Sequence, residues 1–243
     1  MPDLLTPLSL DTNGDAARHA TCSVMQARDR RDSDAYRDRE RLKTGARTRC
    51  DATTTIQVTA HSGSQMTIVF LNGCTSAGKS SIARSLQDQL EDPYLLTGLD
   101  DALRMMPLRY HNHPEGFFFD RDQNDLVRFN LGDVGWATLI AHQKSAAAMA
   151  RSGVNLILDQ VVLTAEIRGN WTASLSGLDV LTVGVHCDVA ELERREINRA
   201  DRLIGQALGQ LDLVHEGMRY DIEVDTTHVS PERAASQIVV ALQ

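Results

Sequence analysis

The sequence predicts a three-layer α/β/α sandwich built on a parallel sheet of five strands. Two observations lead to this prediction. From Met66 onward, apolar runs of strand length alternate with amphipathic stretches of helix length, an order that is typical of parallel α/β domains. The apolar runs are also rich in Val, Ile and Leu, as strands buried on both faces are.

The predicted elements follow one another from residue 66 to the end of the chain. The strands are expected at 66–72, 93–100, 154–163, 178–188 and 220–227. The helices are expected at 80–90, 134–150, 165–175, 189–199 and 231–242. In the second of these helices Trp136, Leu139 and Gln143 recur at spacings of three and four, which marks one face. Pro231 stands in a first helical turn, where proline is favoured.

The first 65 residues differ in composition from the rest of the chain. They contain no Phe or Trp, only eight Leu, Ile or Val residues, and ten Lys+Arg against nine Asp+Glu. Because such a segment buries too little apolar surface to offset its ordering entropy, residues 1–65 are expected to be a disordered N-terminal extension. Two alternatives stay open, a charged interaction arm or a mis-assigned start with Met66 as the natural first residue. Residues 66–243 are then the folded domain.

Charge and apolar content exclude several classes of protein. The chain has 25 Lys+Arg against 33 Asp+Glu, a net charge of −8 and a pI of about 5.4, so it lacks the positive charge that nucleic-acid or anionic-lipid binding requires. No run approaches the ~20 apolar residues of a membrane-spanning helix, and the four cysteines form no zinc pattern. We therefore expect a cytoplasmic protein that partners neither nucleic acid nor membranes, with its oligomeric state left open.

The most specific motif follows the first predicted strand. Residues 73–80 match GxxxxGK[ST] and stand directly before the first predicted helix, the context that a phosphate-binding loop requires. Backbone N–H groups of such a loop surround phosphate oxygens, Lys79 is expected to reach the β- and γ-phosphates, and Ser80 to ligate Mg²⁺. A chance match in a turn is the alternative. The expected nucleotide-binding residues are Gly73, Cys74, Thr75, Ser76, Ala77, Gly78, Lys79 and Ser80.

Carboxylates stand at the ends of the second and third predicted strands. The carboxyl ends of parallel strands face the ligand crevice, so Asp100 is a candidate base for an acceptor hydroxyl, ahead of Asp101 because it ends the strand. A helix cap is the equal alternative for this pair. Asp159 ends the apolar run VNLILD and is expected to hold Mg²⁺ with Ser80, with a strand-end cap as the alternative.

A run of arginines follows the fourth predicted strand. Arg194, Arg195, Arg199 and Arg202 all lie in the segment ERREINRADR. Arg199 and Arg202 are three residues apart and would share a helical face, so they are expected to act as a lid over the transferring phosphoryl group. The alternative is a solvated helix with Glu–Arg pairs.

The segment between the second strand and the helix at 134–150 is unusually aromatic. Residues 117–119 are three phenylalanines, and with a polar turn and the run LVRFN they predict a hairpin. Apolar side chains beside a phosphate site suggest an acceptor with an aryl or apolar body, with core packing as the equal alternative. His111 and His113 lack the further ligands of a metal site and are expected to be exposed loop histidines. His186 and His215 are isolated in the sequence.

Five segments together resemble the chloramphenicol 3-O-phosphotransferase family. They are LNGCTSAGKSSIARSLQ, GLDDAL, LILDQVVL, LDVLTVGVHCD and VHEGMRYDIEVDTTH. The resemblance runs from Met66 to about His228. The resemblance implies a P-loop kinase-like fold and Mg·ATP-dependent phosphorylation of the primary 3-hydroxyl of chloramphenicol, which inactivates the antibiotic. It places the family's catalytic aspartate on Asp100 and its lid arginines on Arg199 and Arg202, and it favours Met66 as the start.

Two departures from the family pattern concern the acceptor. The family strand that ends Asp-Asp reads Asp159-Gln160 here, and residues 107–132 match the family poorly. The resemblance therefore supports the kinase chemistry more strongly than it supports the identity of the acceptor. Two other functions stay open, a kinase for another hydroxyl metabolite such as a nucleoside, sugar or shikimate-like compound, and a nucleotide-dependent switch protein. The choice between ATP and GTP is open as well.

Overall fold

A computed structural model of the chain describes residues 67–199 and 203–243. Three sequence predictions fall outside these residues, namely the disordered extension at 1–65, the start at Met66 and the lid arginine Arg202. The fold of the described residues places every other candidate site residue.

Seven strands and seven helices are found in the described part of the chain. The strands are β1 Thr67–Asn72, β2 Tyr94–Gly98, β3 Phe117–Arg121, β4 Val127–Leu131, β5 Asn155–Gln160, β6 Asp179–His186 and β7 Ile222–Asp225. The helices are α1 Lys79–Gln89, α2 Leu99–Met105, α3 Asp133–Arg151, α4 Ala165–Ser174, α5 Val189–Ile197, α6 Leu208–Leu211 and α7 Pro231–Ala241. None of these helices has both the length and the apolar character that crossing a bilayer would take.

Five of the strands form one parallel sheet in the order β2-β5-β1-β6-β7, which confirms the predicted architecture. β1 is central and pairs with β5 on one side and β6 on the other. Because all strands run the same way, their carboxyl ends meet at one edge of the sheet. The loop after β1, the start of α2 and the end of β5 therefore lie close together.

Two apolar layers cover the opposite faces of the sheet. Side chains along a strand alternate between faces, so Val69 and Leu71 of β1 pack with α1 and α7, whereas Ile68 and Phe70 pack with α3 and α4. Burial of these alternating side chains is the main favourable term that holds the three layers together.

Several predicted boundaries are wrong by a few residues, including both ends of β7 and the end of β6. The strand expected at 93–100 ends at Gly98, because Asp101 accepts a hydrogen bond from the Gly98 N–H and starts helix α2 there. Asp100 consequently lies in the first turn of a helix and does not end a strand. The strand expected at 154–163 ends at Gln160, and the helix expected at 189–199 ends at Ile197.

The predicted aromatic hairpin is present and stands apart from the main sheet. Strands β3 and β4 pair antiparallel, with Phe119 opposite Phe129. Asp122 shapes the turn, since its Oδ1 accepts hydrogen bonds from the N–H groups of Asn124 (2.8 Å) and Leu126 (3.1 Å). An Asx turn of this kind explains why a polar stretch separates the two apolar runs.

Two helical glycines should respond oppositely to alanine. A Cβ at Gly135 in α3 would meet the Gly116 carbonyl oxygen at 2.2 Å, whereas a Cβ at Gly169 in α4 would meet nothing within 4 Å. We expect Gly135→Ala to lower the free energy of unfolding by about 2 kcal/mol through overpacking, and Gly169→Ala to raise it by about 0.5–1 kcal/mol. Urea unfolding of both variants measures this, and equal effects would contradict the packing described.

Candidate active site

The loop between β1 and α1 has the backbone of a phosphate-binding cradle. Ser76 adopts a φ of 62° and Gly78 a φ of 93°, left-handed values that turn successive N–H groups inward. Gly73 lies so close to β6 that a Cβ there would meet the Val185 carbonyl oxygen at 2.3 Å. The Ser76 hydroxyl is buried and has no hydrogen-bond partner among the described residues. A strained residue with an unpartnered hydroxyl inside a loop is typical of a ligand site.

Lys79, Ser80 and Asp159 converge below this loop. The Lys79 ammonium group, only 6% exposed, donates to the Cys74 carbonyl oxygen at 2.9 Å and lies 3.7 Å from Asp159 Oδ1. The Ser80 hydroxyl donates to Asp159 Oδ2 at 2.6 Å. A hydroxyl beside a single carboxylate offers the hard oxygen ligands that Mg²⁺ accepts while it keeps several waters. These contacts put Asp159 beside the phosphate-binding loop.

The two aspartates that follow β2 have different partners. Asp101 caps α2, since its Oδ2 accepts from the Gly98 N–H at 2.9 Å and its Oδ1 accepts from Arg104 at 2.9 Å. The capping alternative is therefore realised by Asp101. Asp100 is the neighbouring, half-buried carboxylate in the first helical turn. β2 pairs with β5 so that Gly98 lies opposite Asp159, which brings the start of α2 to the phosphate-loop side of the sheet edge.

The arginine that packs on the phosphate loop is Arg195. Its guanidinium donates to the Thr226 carbonyl oxygen at 2.6 Å, to the Thr226 hydroxyl at 3.1 Å and to the Ser76 carbonyl oxygen at 3.4 Å. Glu191 pairs with both Arg195 and the exposed Arg194, and such Glu–Arg pairs are what the solvated-helix alternative predicts. Arg199 lies beyond the last residue of α5 and is therefore not on that helix.

Thr226 completes this side of the loop. Its hydroxyl oxygen lies 2.8 Å from the Ala77 carbonyl oxygen and 3.0 Å from the His186 carbonyl oxygen, and its one proton can be donated to either. The sequence analysis named Arg195 only as one of four arginines and did not single out Thr226. The contact joins residues 31 positions apart, and no local pattern indicates it.

A buried polar network, missed in the sequence analysis, supports the loop from the other side. Asn72 donates to the hydroxyl of Tyr220 at 2.8 Å, and that hydroxyl lies 2.7 Å from Nδ1 of His215. The ring of His215 stacks on His186, with centroids 4.2 Å apart. His186 in turn contacts Glu223 at 2.7 Å. Histidines that are isolated in the sequence are thus neighbours in space.

Burial shifts the proton affinities in and beside this network. It raises the pKa of Tyr220 to about 12, so the phenol stays protonated beside Nδ1 of His215. Burial likewise raises the pKa of the Cys74 thiol to about 11, which keeps the second residue of the phosphate loop uncharged. A neutral thiol there adds no repulsion toward phosphate.

The buried network should make the free energy of unfolding depend on pH. Burial, with His186 and Lys79 acting in the same direction, lowers the pKa of His215 to about 4. Between pH 6.5 and 4 the unfolded chain therefore binds a proton at His215 that the folded chain does not, so stability falls as the pH falls through this window. We expect His215→Phe, which keeps the ring stack, to flatten the pH dependence of the urea unfolding free energy there. Parallel curves for the two proteins would contradict this assignment.

The aromatic side chains of the hairpin pack against one another. The rings of Phe117, Phe119 and Phe129 form a cluster with centroid distances of 5.4 to 6.3 Å. His113 is exposed as expected, but the expectation is wrong for His111, which is half-buried because its ring packs at a tilt against Phe117 with centroids 4.9 Å apart. No group of three or more potential metal-ligating side chains of the types His, Cys, Asp and Glu is found within residues 67–199 and 203–243.

Two glutamines that the sequence analysis did not place in the site lie at its edges. Gln160 at the end of β5 is only 2% exposed, and its Nε2 has no partner in the described part of the chain. Gln210 in α6 accepts a hydrogen bond from the Thr75 N–H at 2.7 Å. The short helix α6 was not predicted, because four residues carry no readable periodicity.

Comparisons with known proteins agree with this geometry. A family model described as chloramphenicol phosphotransferase-like protein matches residues 66–243. Two curated Mycobacterium tuberculosis proteins, from two strains and both named "Putative O-phosphotransferase", are 30% identical over 179 residues, which cover 70% of this chain and 80% of theirs.

Solved structures with a similar fold include two kinases. The Mycobacterium tuberculosis APS kinase CysC, in complex with AMPPNP and APS, superposes with a TM-score of 0.52 at 19% identity, covering 73% of this chain and 97% of that one. A sugar kinase from Janibacter superposes with a TM-score of 0.51 at 16% identity, covering 73% and 94%. At these identities the likeness shows a shared fold, that of the P-loop kinases.

Proposed function

The chain belongs to the chloramphenicol phosphotransferase-like family, and from this membership we propose that it transfers the γ-phosphoryl group of Mg·ATP to a hydroxyl group of a small molecule. The primary 3-hydroxyl of chloramphenicol is the first acceptor to consider, and its phosphorylation would inactivate the antibiotic. The observation that carries the proposal is the convergence of Lys79, Ser80 and Asp159 on a loop that has the backbone of a phosphate cradle.

The donor half of the reaction is assigned to residues 73–80. Loop N–H groups and the start of α1 bind the phosphate oxygens, because the first N–H groups of a helix lack intrahelical partners and carry partial positive charge. Lys79 adds a full positive charge beside the transferring group. Ser80 and Asp159 would hold Mg²⁺, and the bound ion supplies charge neutralisation at the β- and γ-phosphoryl oxygens.

The acceptor half is assigned to Asp100. As the oxygen of the acceptor attacks phosphorus, its proton passes to the Asp100 carboxylate, a new O–P bond forms, and the bond to the β-phosphate oxygen breaks to release ADP. The first turn of α2 holds this carboxylate at the sheet edge that carries Asp159. Capping of α2 by Asp101 leaves Asp100 as the proposed base. Arg199 and Arg202 are proposed to neutralise the transferring group.

One observation favours an acceptor other than chloramphenicol within the same chemistry. Gln160 stands where the family has a second aspartate, and its buried Nε2 can donate where a carboxylate could only accept. The aromatic hairpin likewise differs from the family pattern, and its rings suit an apolar or aryl body. A small-molecule kinase for another hydroxyl compound is therefore the second candidate.

The test is an ADP-release assay on the full chain with Mg·ATP, with and without chloramphenicol, with the product identified by mass. Drug-dependent turnover to a monophosphate that ceases when Mg²⁺ is chelated is the expected result. Turnover with another hydroxyl compound, found by screening nucleosides, sugars and shikimate-like acids, would select the second candidate. ATP binding with slow hydrolysis that no acceptor accelerates would refute both.

A further inference from the structure

Gln210 fixes one amide of the phosphate loop from outside the loop. Thr75 is the third residue of the loop, and its N–H donates to Gln210 Oε1 at 2.7 Å. The glutamine is only 4% exposed, so water does not compete for this hydrogen bond. The orientation of the Thr75 peptide therefore depends on the position of helix α6.

The β3–β4 hairpin holds helix α6 in position. Arg128 of β4 donates to the Gly209 carbonyl oxygen at 2.5 Å and pairs with Asp212 just after α6 at 3.1 Å. On its own hairpin the same guanidinium pairs with Asp122 at 2.8 Å, which holds it in place. Gly209 packs so closely on β4 that a Cβ would meet the Val127 carbonyl oxygen at 2.0 Å. Helix α6 thus cannot move relative to β4 without breaking these contacts.

Both ends of the segment that contains α6 are also fixed. The buried carboxylate of Glu196 accepts hydrogen bonds from the N–H groups of Gly205 at 2.6 Å and Ala207 at 2.9 Å. Beyond α6, the Val214 carbonyl oxygen accepts from Asn72 at 2.7 Å. The segment from 205 to 214 is therefore a rigid bridge between the hairpin and the end of β1.

We propose that Arg128 and Gln210 are positioning residues for phosphoryl transfer, which hold the Thr75 peptide in its nucleotide-binding orientation from the aromatic hairpin. This inference rests on the proposed function only in requiring that residues 73–80 bind a nucleotide.

The test measures nucleotide affinity and needs no acceptor. Isothermal titration of the full chain with Mg·AMPPNP compares wild type with Arg128→Met, Gln210→Met and the double variant. We expect Gln210→Met to weaken binding about tenfold, since it leaves the Thr75 N–H unpaired, and Arg128→Met to weaken it about three- to tenfold. The double variant should bind no more weakly than the weaker single variant, because both changes act on one contact.

The matched control is Arg121→Met, on the neighbouring strand of the same hairpin. Arg121 pairs with Asp125 in the exposed turn and makes no contact with α6 in the described structure. Its affinity for Mg·AMPPNP should stay within about twofold of wild type. If Arg128→Met unfolds during the titration, Asp212→Asn is the milder variant. It weakens the ion pair between Arg128 and Asp212 and should still lower the affinity for Mg·AMPPNP measurably.

Three outcomes would overturn the proposal. First, the Arg128→Met variant could be folded, as judged by thermal unfolding, and bind Mg·AMPPNP like the Arg121→Met control. That result would show that the hairpin does not influence nucleotide binding. A double variant whose loss equals the product of the two single losses would show independent effects. Wild-type affinity in the Gln210→Met variant would show that the hydrogen bond to the Thr75 N–H does not affect nucleotide binding. Failure of the proposed function is a separate result, namely the absence of phosphoryl transfer to any hydroxyl compound.

Discussion

Replacing Lys79 with methionine should lower the rate of phosphoryl transfer by about three orders of magnitude. Lys79 is a buried cation in contact with both the loop carbonyl of Cys74 and Asp159, so methionine keeps the volume and removes the charge that stabilises the transferring group. Binding of Mg·ATP should weaken far less, because the loop N–H groups remain. The measurement is single-turnover transfer of labelled phosphate from ATP to the acceptor identified by the ADP-release assay.

Lys144 provides the matched control for this variant. It is the other lysine of the described residues and lies exposed on α3. Lys144→Met should therefore transfer phosphate at the wild-type rate. A Lys79→Met protein that is folded and retains more than about a tenth of the wild-type rate would rule out the assignment of Lys79 to the transferring phosphate.

Replacing Asp100 with asparagine should abolish transfer while Mg·ATP still binds. Asparagine has the shape of aspartate but cannot take the proton of the acceptor hydroxyl, and loss of a general base costs about two to four orders of magnitude in rate. Equilibrium binding of Mg·AMPPNP should stay within about threefold, because the phosphate loop is untouched.

Asp101→Asn separates the base from the helix cap. Asparagine can still accept the hydrogen bond from the Gly98 N–H, but it gives up the exposed ion pair with Arg104. The free energy of unfolding should fall by less than about 1 kcal/mol, since exposed ion pairs contribute little. Transfer should stay near the wild-type rate. If transfer survives in Asp100→Asn and is lost in Asp101→Asn, Asp101 would be the base and the assignment of Asp100 would be wrong.

The sequence predicted what local patterns can encode. The β1 strand, the phosphate loop and α1 are contiguous, so their periodicity and glycine spacing lie in one window. The boundary at Gly98 was predicted wrongly because LLTGLD has the apolar character of a strand, and only the hydrogen bond from Gly98 to Asp101 shows where the helix begins. The alternation of strands and helices along the chain likewise predicted the three-layer architecture, because that order is typical of parallel α/β domains.

Long-range contacts of the candidate site could not be predicted in this way. Gln210 contacts Thr75 across 135 positions, and the short helix that holds it has no periodic signal. Arg195 and Thr226 meet only because β6 and β7 are neighbours in the sheet. The stack of His186 on His215 depends on the same arrangement of the chain. Such pairs follow from topology, and a single sequence carries no mark of them.

The position of the β3–β4 hairpin outside the five-stranded sheet has a consequence for evolution and engineering. Because the five-stranded sheet has no strand pairing with the hairpin, we expect substitutions in the hairpin to leave that sheet intact. The contacts with helix α6 set a limit on such changes. If Arg128 positions the phosphate loop as proposed, a hairpin grafted from a relative should retain a cation that faces the Gly209 carbonyl and Asp212, and a graft that lacks one should bind ATP more weakly.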